Sequence, residues 1–412
     1  MAARRVAVTG AGVVSPLGTT VEEFQRSLAA GRSGIRRLAP ELAERSGVQV
    51  GATVDWNPAP LFSDAEAANL DRASQFALAA AAQAVAASGL QMENLNRDRI
   101  GVCWGTGMGG AHTQETSYKQ VYGAGEWRVR PLTVVMSMNN AAGSNVAVRH
   151  GLRGPFANYS TACSSSAMAL GEAMRAIAAG RADAMIAGGS EALLTPGILV
   201  AWQALRTLAP ADPADAAASC KPFDKRRAGL VLGEGAAAFM LEEESRARAR
   251  GARIYGVLTG YGNSCDAVHM SRPDRDGQIR AMNEALCEAG LSPQDVGYIN
   301  AHGTATAVGD VVEAEAINAV FGPAAREVRV SSTKSLHGHL LGGSGALEFA
   351  AALLALEQGI LPPTGFLDQP DPACALRHVA REAERVAPPP RAVMSNSFAF
   401  GGSNVVLVAV RG

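Results

Sequence analysis

The chain has 412 residues, 48% of them hydrophobic and 18% charged, with a formal net charge of -1. That length exceeds an ordinary single core and implies two domains or two fused halves, and the composition excludes a disordered chain. The near-zero charge gives a nucleic-acid partner no bulk electrostatic support.

The N-terminus, MAARRVAVTGAGVV, places two arginines before apolar residues. Glycines break the apolar run early and no small-residue cleavage site follows, so the segment reads as a first strand over 5–9 and not as a signal peptide. That strand ends at Gly10-Ala11-Gly12. A helix over 20–30 stops at Gly31, and an alanine-rich helix over 76–87 closes at Ser88-Gly89. A buried strand over 100–104 runs into the glycine-rich GTGMGG. Next come a helix over 139–149, a short strand over 156–160, a helix over 164–179 and strands over 184–187, 235–242 and 254–259. The charged run EEESRARARG reads as a solvated helix face.

The rhythm then repeats. A helix over 277–289 precedes a strand over 296–300, which enters AHGTATAVGD. A helix over 310–321, a strand over 328–331 and a helix over 344–357 follow, then closing strands over 391–397 and 404–410. Strands alternating with helices imply an α/β fold with a covered sheet. Two runs of comparable order imply a duplication, with halves 1–250 and 251–412. No apolar run approaches the ~18 residues needed to cross a bilayer. Six cysteines, at 103, 163, 220, 265, 287 and 374, form no CxxC pair, which excludes the common zinc and thioredoxin motifs. Scattered cysteines in a long chain indicate a reduced, cytoplasmic protein.

Cys163 lies in NYSTACSSSAMALGEAMRAIAAG. A strand enters, small residues turn the chain and an amphipathic helix leaves, which presents a thiol at a helix N-terminus. The dipole there favours negative charge. An unperturbed cysteine is only a few per cent thiolate at pH 7, whereas a pKa of roughly 7 leaves about half ionised. Backbone N–H groups of the same turn can bind an oxyanion. The plainer alternative is a small buried cysteine. Seven histidines lie at 112, 150, 269, 302, 337, 339 and 378. His302 and His339 stand in glycine-rich turns after predicted strands, where α/β folds bind ligands. The pair His337 and His339 lacks a neighbouring Cys or carboxylate to complete a zinc set, so no metal is assigned.

TACSSS, NAHGTATAVGD, KSLHGHLLGGSGALE and NSFAFGGSN occur in an order and spacing that resembles the β-ketoacyl-acyl-carrier-protein synthases of the elongating, two-histidine class. VAVTGAGVVSPLG and KPFDKRRAGLVLGEGA match as well, so the resemblance covers essentially the whole chain. It implies a thiolase-like α/β fold with two similar halves in a five-layered αβαβα sandwich. It also implies an acyltransferase that condenses malonyl and acyl thioesters, working as a homodimer or as a heterodimer with a chain-length factor. In that resemblance Cys163 accepts the acyl chain, His302 and His339 bind the malonyl thioester carbonyl, and Lys334 supports His339. Backbone N–H groups of Cys163 and Phe400 form an oxyanion hole, and Phe400 gates the acyl pocket. Thr304 and Thr306 meet the phosphopantetheine arm of an acyl carrier protein, so no resident cofactor is implied. Met108, which limits acyl length, and His269 join the substrate-binding set. Asp310, Glu313 and Glu348 are structural carboxylates, and Arg128, Arg130 and Arg206 dock the carrier.

Some positions depart from the housekeeping pattern. The segment SDAEAAN at 63–69 is acidic where basic residues are usual, TACSSS is closer to polyketide-type enzymes, Ala399 replaces a glycine and His337 a small residue. These leave the reaction class intact and open the question of carrier and acyl chain. A non-catalytic chain-length factor lacks the nucleophile. A thiolase needs a second cysteine in the C-terminal glycine turn, which NSFAFGGSN lacks. A dinucleotide fingerprint at Gly10 and Gly12 has Ser15 at its third glycine. A cysteine hydrolase needs an orienter for its histidine that the sequence does not place.

Overall fold

The computed structural model describes residues 4–412. β1 (Val6–Val14) is buried along its whole length. Against it packs α1 (Arg72–Ser88), which starts where Asp71 accepts the Ala73 N–H and stops at Gly89 with φ +66°. A Cβ on Gly10 or Gly12 would lie 2.0 Å from the carbonyl oxygen of Ala84 or Ala80. The two glycines are therefore a strand–helix contact. The strand continues through them, with one register shift between Val8 and Gly10, and no phosphate loop forms. The first half continues with β2 (Ile100–Gly105), β3 (Phe156–Tyr159), α2 (Ser165–Ala178), β4 (Ala184–Ala192) and β5 (Glu234–Glu243). The second half holds β6 (Gly256–Cys265), α3 (Arg275–Ala289), β7 (Val296–Asn300), β8 (Arg329–Ser331) and α4 (Ser344–Gln358). It closes with β9 (Arg377–His378), β10 (Ala392–Phe398) and β11 (Ser403–Val410).

The strands form one sheet in the order β9-β8-β7-β10-β11-β6-β1-β5-β4-β2-β3. Its two parts have the same topology. β1-β5 and β5-β4 are antiparallel, and β4-β2 and β2-β3 are parallel. Likewise β6-β11 and β11-β10 are antiparallel, and β10-β7 and β7-β8 are parallel. A short antiparallel pairing of β1 with β6 joins them. The glycine contact repeats too: Cβ atoms on Gly260 and Gly262 would lie 2.2 Å from Ala285 O and 1.9 Å from Ala281 O of α3. The duplication is thus visible in topology and in one packing device. α2 and α4 pack together between the half-sheets. The central core there includes Phe239, Tyr261 and Phe349, with outer cores beneath α1 (Phe76, Trp104) and α3 (Met282, Phe321). That makes five layers.

Predicted and observed elements differ mainly at their ends. The sequence reading omitted helices at Ala111–Tyr118 and Pro196–Ala204, and the hairpin Ile35–Arg37 with Val50–Ala52. The charged run is a helix over Glu244–Ala249 with Ser245, Arg246 and Arg248 exposed, as expected, and differs only at its leading glutamates. Glu242 and Glu243 finish β5, and Glu244, only 7% exposed, pairs with Arg5 and Arg248. Among the described residues no helix is long and apolar enough to cross a membrane.

Candidate active site

Cys163 stands on the turn between β3 and α2. Ala162 takes φ +50°, a left-handed conformation rare for a residue with a side chain. The serines of TACSSS hold this turn. Ser165 Oγ accepts the Thr161 N–H at 2.9 Å and donates to Ala162 O at 2.6 Å. Ser164 Oγ donates to Thr161 O at 2.9 Å. Ser166 Oγ accepts the Ala346 N–H of α4 at 2.9 Å, tying the two central helices at the site.

The second half supplies the histidines. His302 follows β7, and its backbone N–H donates to Glu313 Oε1 at 2.8 Å while Gly303 N–H donates to Oε2 at 2.7 Å. His339 follows β8. Its Nε2 is 3.1 Å from Cys163 Sγ, and its ring lies 5.4 Å from that of His302, edge to face. Cys163 Sγ and ring nitrogens of both histidines all lie within 4.8 Å of one another.

Hydrogen-bond partners fix both tautomers. Leu341, held at φ +46°, donates its N–H to His339 Nδ1 at 3.1 Å. Ser344 Oγ lies 2.8 Å from the same nitrogen and accepts the Leu340 N–H. Nδ1 is an acceptor, so Nε2 carries the hydrogen. At His302 the ammonium of Lys334 lies 3.2 Å from Nδ1 and donates to the backbone oxygen at 2.7 Å. Nδ1 accepts again, and Nε2–H points into the site. Both rings are neutral. Burial, then the Lys334 charge, holds each well below the usual histidine range.

Lys334 therefore sits behind His302 and not behind His339, which corrects the sequence reading. Its partner is the fully buried Glu348 of α4. Burial pushes that carboxyl up to about 7, against the pull of Lys334. The donor set also argues against a metal. Zinc takes a histidine lone pair, and at both rings the lone pair on Nδ1 is already engaged while Nε2 bears hydrogen. The same tautomer removes the general base that a cysteine hydrolase requires.

The thiol differs from expectation. Cys163 is 4% exposed and lies among Leu193, Leu199, Leu230, Leu232 and Leu341. Burial pushes it up to about 12, outweighing the Lys334 charge and the N–H groups of Phe400 and Cys163 that point at the sulfur. The helix N-terminus does not leave the resting residue ionised. The expected result is that iodoacetamide inactivation accelerates about tenfold per pH unit from pH 7 to 10, because the thiolate fraction is still climbing. A rate that levels off near pH 7.5 would show a low-pKa thiol instead.

A cavity of about 360 Å³ contains Cys163, His302 and His339, and is lined also by Thr304, Thr306, Arg206 and Phe400. The Phe400 ring stacks on Trp202 at 5.9 Å between centroids. Thr304 and Thr306 bond through their hydroxyls at 3.1 Å. His269 does not line the cavity. It is exposed and accepts the Ser271 N–H at 3.1 Å, while Met270, Ser271 and Arg272 face the opening. Met108 is also outside, 40% exposed. Arg128 and Arg130 lie away from the cavity, and Arg130 Nη1 donates to Ala68 O at 2.7 Å.

Sequence reasoning missed Glu191, Ser344 and Trp202. Glu191 is fully buried and accepts N–H groups from Gly107, Met108 and Gly342 and the Thr106 hydroxyl. It fastens the GTGMGG loop to the turn that carries His339. A lone carboxylate in the small-residue strand AGGSEA was the available signal.

A duplicated unit with a buried cysteine at a helix N-terminus of one half facing paired histidines of the other defines a thiolase-like condensing enzyme. The β-ketoacyl synthase N-terminal domain matches residues 3–247 and its C-terminal domain residues 255–367, and the chain belongs to that family. It is 41% identical to 3-oxoacyl-[acyl-carrier-protein] synthase 2 of Coxiella burnetii, over 100% of this chain and 99% of that protein. Among solved structures, the ishigamide ketosynthase/chain length factor shares 34% identity and a TM-score of 0.92, covering 100% of both chains. A type II PKS acyl-carrier protein in complex with its ketosynthase bound to the hexaketide shares 32% identity, with a TM-score of 0.92 over 100% of both chains.

Proposed function

We propose that this chain elongates acyl thioesters by decarboxylative condensation of malonyl-acyl-carrier protein with an acyl chain held on Cys163. The observation that carries this reading is the convergence of two imidazole Nε2–H donors on the space beside Cys163 Sγ. In the first half-reaction the sulfur attacks the acyl-carrier thioester. Its proton passes to the leaving carrier thiol, and the N–H groups of Cys163 and Phe400 receive the oxyanion. In the second, malonyl-carrier loses carbon dioxide, and the C–C bonding pair becomes an enolate whose oxygen takes the Nε2–H donors of His302 and His339. A preorganised donor of this kind contributes roughly 3 kcal/mol. The enolate carbon attacks the acyl group, the Cys163 thiolate leaves, and a proton from water restores the thiol. A chain-length-factor role is disfavoured because the nucleophile and both donors are present.

No resident cofactor enters this scheme. The phosphopantetheine arm arrives with the carrier, past Thr304 and Thr306. The halves 1–250 and 251–412 supply the nucleophile and the donors. A cytoplasmic homodimer is the proposed assembly. β3 is an edge strand carrying the exposed Phe156, and a second copy can cover that edge. The carrier, an acidic protein, docks on positive charge. Arg206 lies at the cavity and Arg128 and Arg130 are exposed, whereas the helix Asp64–Ala68 presents acids. This pattern suits a carrier other than the housekeeping one.

The test is incubation with acyl- and malonyl-carrier proteins, read by mass spectrometry. An acyl group on Cys163 and a 3-oxoacyl carrier are expected. Raising salt should raise the KM for carrier and leave a small pantetheine thioester unaffected. No acylation of Cys163 by any acyl-carrier would overturn the reading.

A further inference from the structure

His337 is fully buried yet stands outside the cavity. It ends the short helix Lys334–His337, one glycine before His339. That glycine is required. Gly338 takes φ +70°, and a Cβ there would lie 2.8 Å from Ala52 Cβ. The most pliable residue type thus sits directly beside a histidine whose ring must be held to a fraction of an ångström.

The Gly338–His339 peptide unit is pinned at both ends. Its N–H donates to Val231 O at 2.7 Å. Its carbonyl oxygen lies 2.8 Å from His337 Nδ1. A carbonyl only accepts, so Nδ1 carries the hydrogen and Nε2 is left to accept from Thr333 Oγ1, 2.9 Å away. Thr333 Oγ1 in turn accepts the Asn300 amide at 3.2 Å. The bonds run in one direction, from Asn300 at the end of β7, through Thr333 and His337, to the peptide carrying His339. Asn300 is two residues before His302, so the relay spans the bases of both histidines.

We propose that His337 is a positioning residue for His339, holding the Gly338 carbonyl so that His339 Nε2–H meets the developing enolate. The proposal rests on the condensation reading given above. Burial and the Lys334 charge push His337 down to about 3, so it stays neutral beside that ammonium.

Three variants separate positioning from bulk structure. His337→Asn places an amide N–H near the Nδ1 position and keeps the Gly338 bond. His337→Gln reaches the Nε2 position and keeps only Thr333. His337→Leu keeps neither. Decarboxylation of malonyl-carrier protein, acylation of Cys163 and Tm are measured for each. The expected result is that Leu and Gln lower the decarboxylation kcat roughly 10- to 100-fold, with carrier KM and acylation within about twofold, and that Asn stays close to wild type. Should Leu fail to fold, the Asn and Gln pair decides. Wild-type decarboxylation in Gln, or equal losses in Asn and Gln that extend to acylation, overturns the proposal. A wild-type enzyme unable to decarboxylate malonyl-carrier protein overturns the condensation reading itself.

Discussion

Cys163→Ala is expected to abolish acyl transfer, with a loss of at least about 10³-fold, while the protein stays folded. The turn does not depend on sulfur. Ser164, Ser165 and the φ +50° of Ala162 set its shape. A methyl group is tolerated in the apolar cluster that surrounds the thiol. No other cysteine substitutes, because Cys103, Cys220 and Cys374 are buried elsewhere and Cys265 and Cys287 are exposed outside the cavity. Mass spectrometry after incubation with acyl-carrier protein checks the outcome, alongside a thermal melt. Acyl-enzyme formed at wild-type yield would remove Cys163 from its role. Cys163→Gln, with an amide in place of the thioester, should retain malonyl decarboxylation through His302 and His339.

Local chemistry was legible where one stretch of chain supplies all the partners. The elbow around Cys163 is strand, turn and helix in order, and Ser164 and Ser165 bond Thr161 and Ala162 within four residues, whereas the bond of Ser166 to Ala346 of α4 is not readable locally. The strand Val296–Asn300 was placed to the residue because an apolar run leads directly into a glycine turn. Gly10 and Gly12 show the limit. As a string they suggest a phosphate loop, and only α1, some 70 residues later in sequence, shows that they admit a helix backbone. Lys334 was assigned to the wrong histidine for the same reason. It is five residues from His339 in sequence, but the helix Lys334–His337 turns its side chain toward His302 and Glu348. The ionisation of Cys163 was misjudged because a helix N-terminus is visible in sequence, whereas desolvation by five leucines drawn from four segments is not. Met108 and His269 were placed by resemblance, and neither reaches the cavity of this chain.

His339→Ala should slow malonyl decarboxylation by roughly 10²- to 10³-fold and leave acylation of Cys163 much less affected. On the proposed mechanism the two half-reactions use different donors. Acylation there draws on the N–H groups of Cys163 and Phe400, which point at the sulfur in the structure. On the proposed mechanism the enolate appears only in the second half-reaction, and the Nε2–H groups of His302 and His339 lie beside Cys163 Sγ, where its charge would develop. The backbone bonds of His339 to Val231 and Gly233 do not involve the ring, so the turn persists in the variant. His302→Ala should behave alike, since Lys334 keeps the backbone oxygen of residue 302 and Glu348 as partners. The pH dependence distinguishes donors from bases. Burial and Lys334 hold both rings well below the usual histidine range, so they remain neutral as pH falls from 8 to 6. Decarboxylation measured across that window should therefore show no loss from histidine protonation. Equal losses of both half-reactions in His339→Ala, or a decline in decarboxylation centred near pH 6.5 that disappears with the ring, would count against neutral N–H donation.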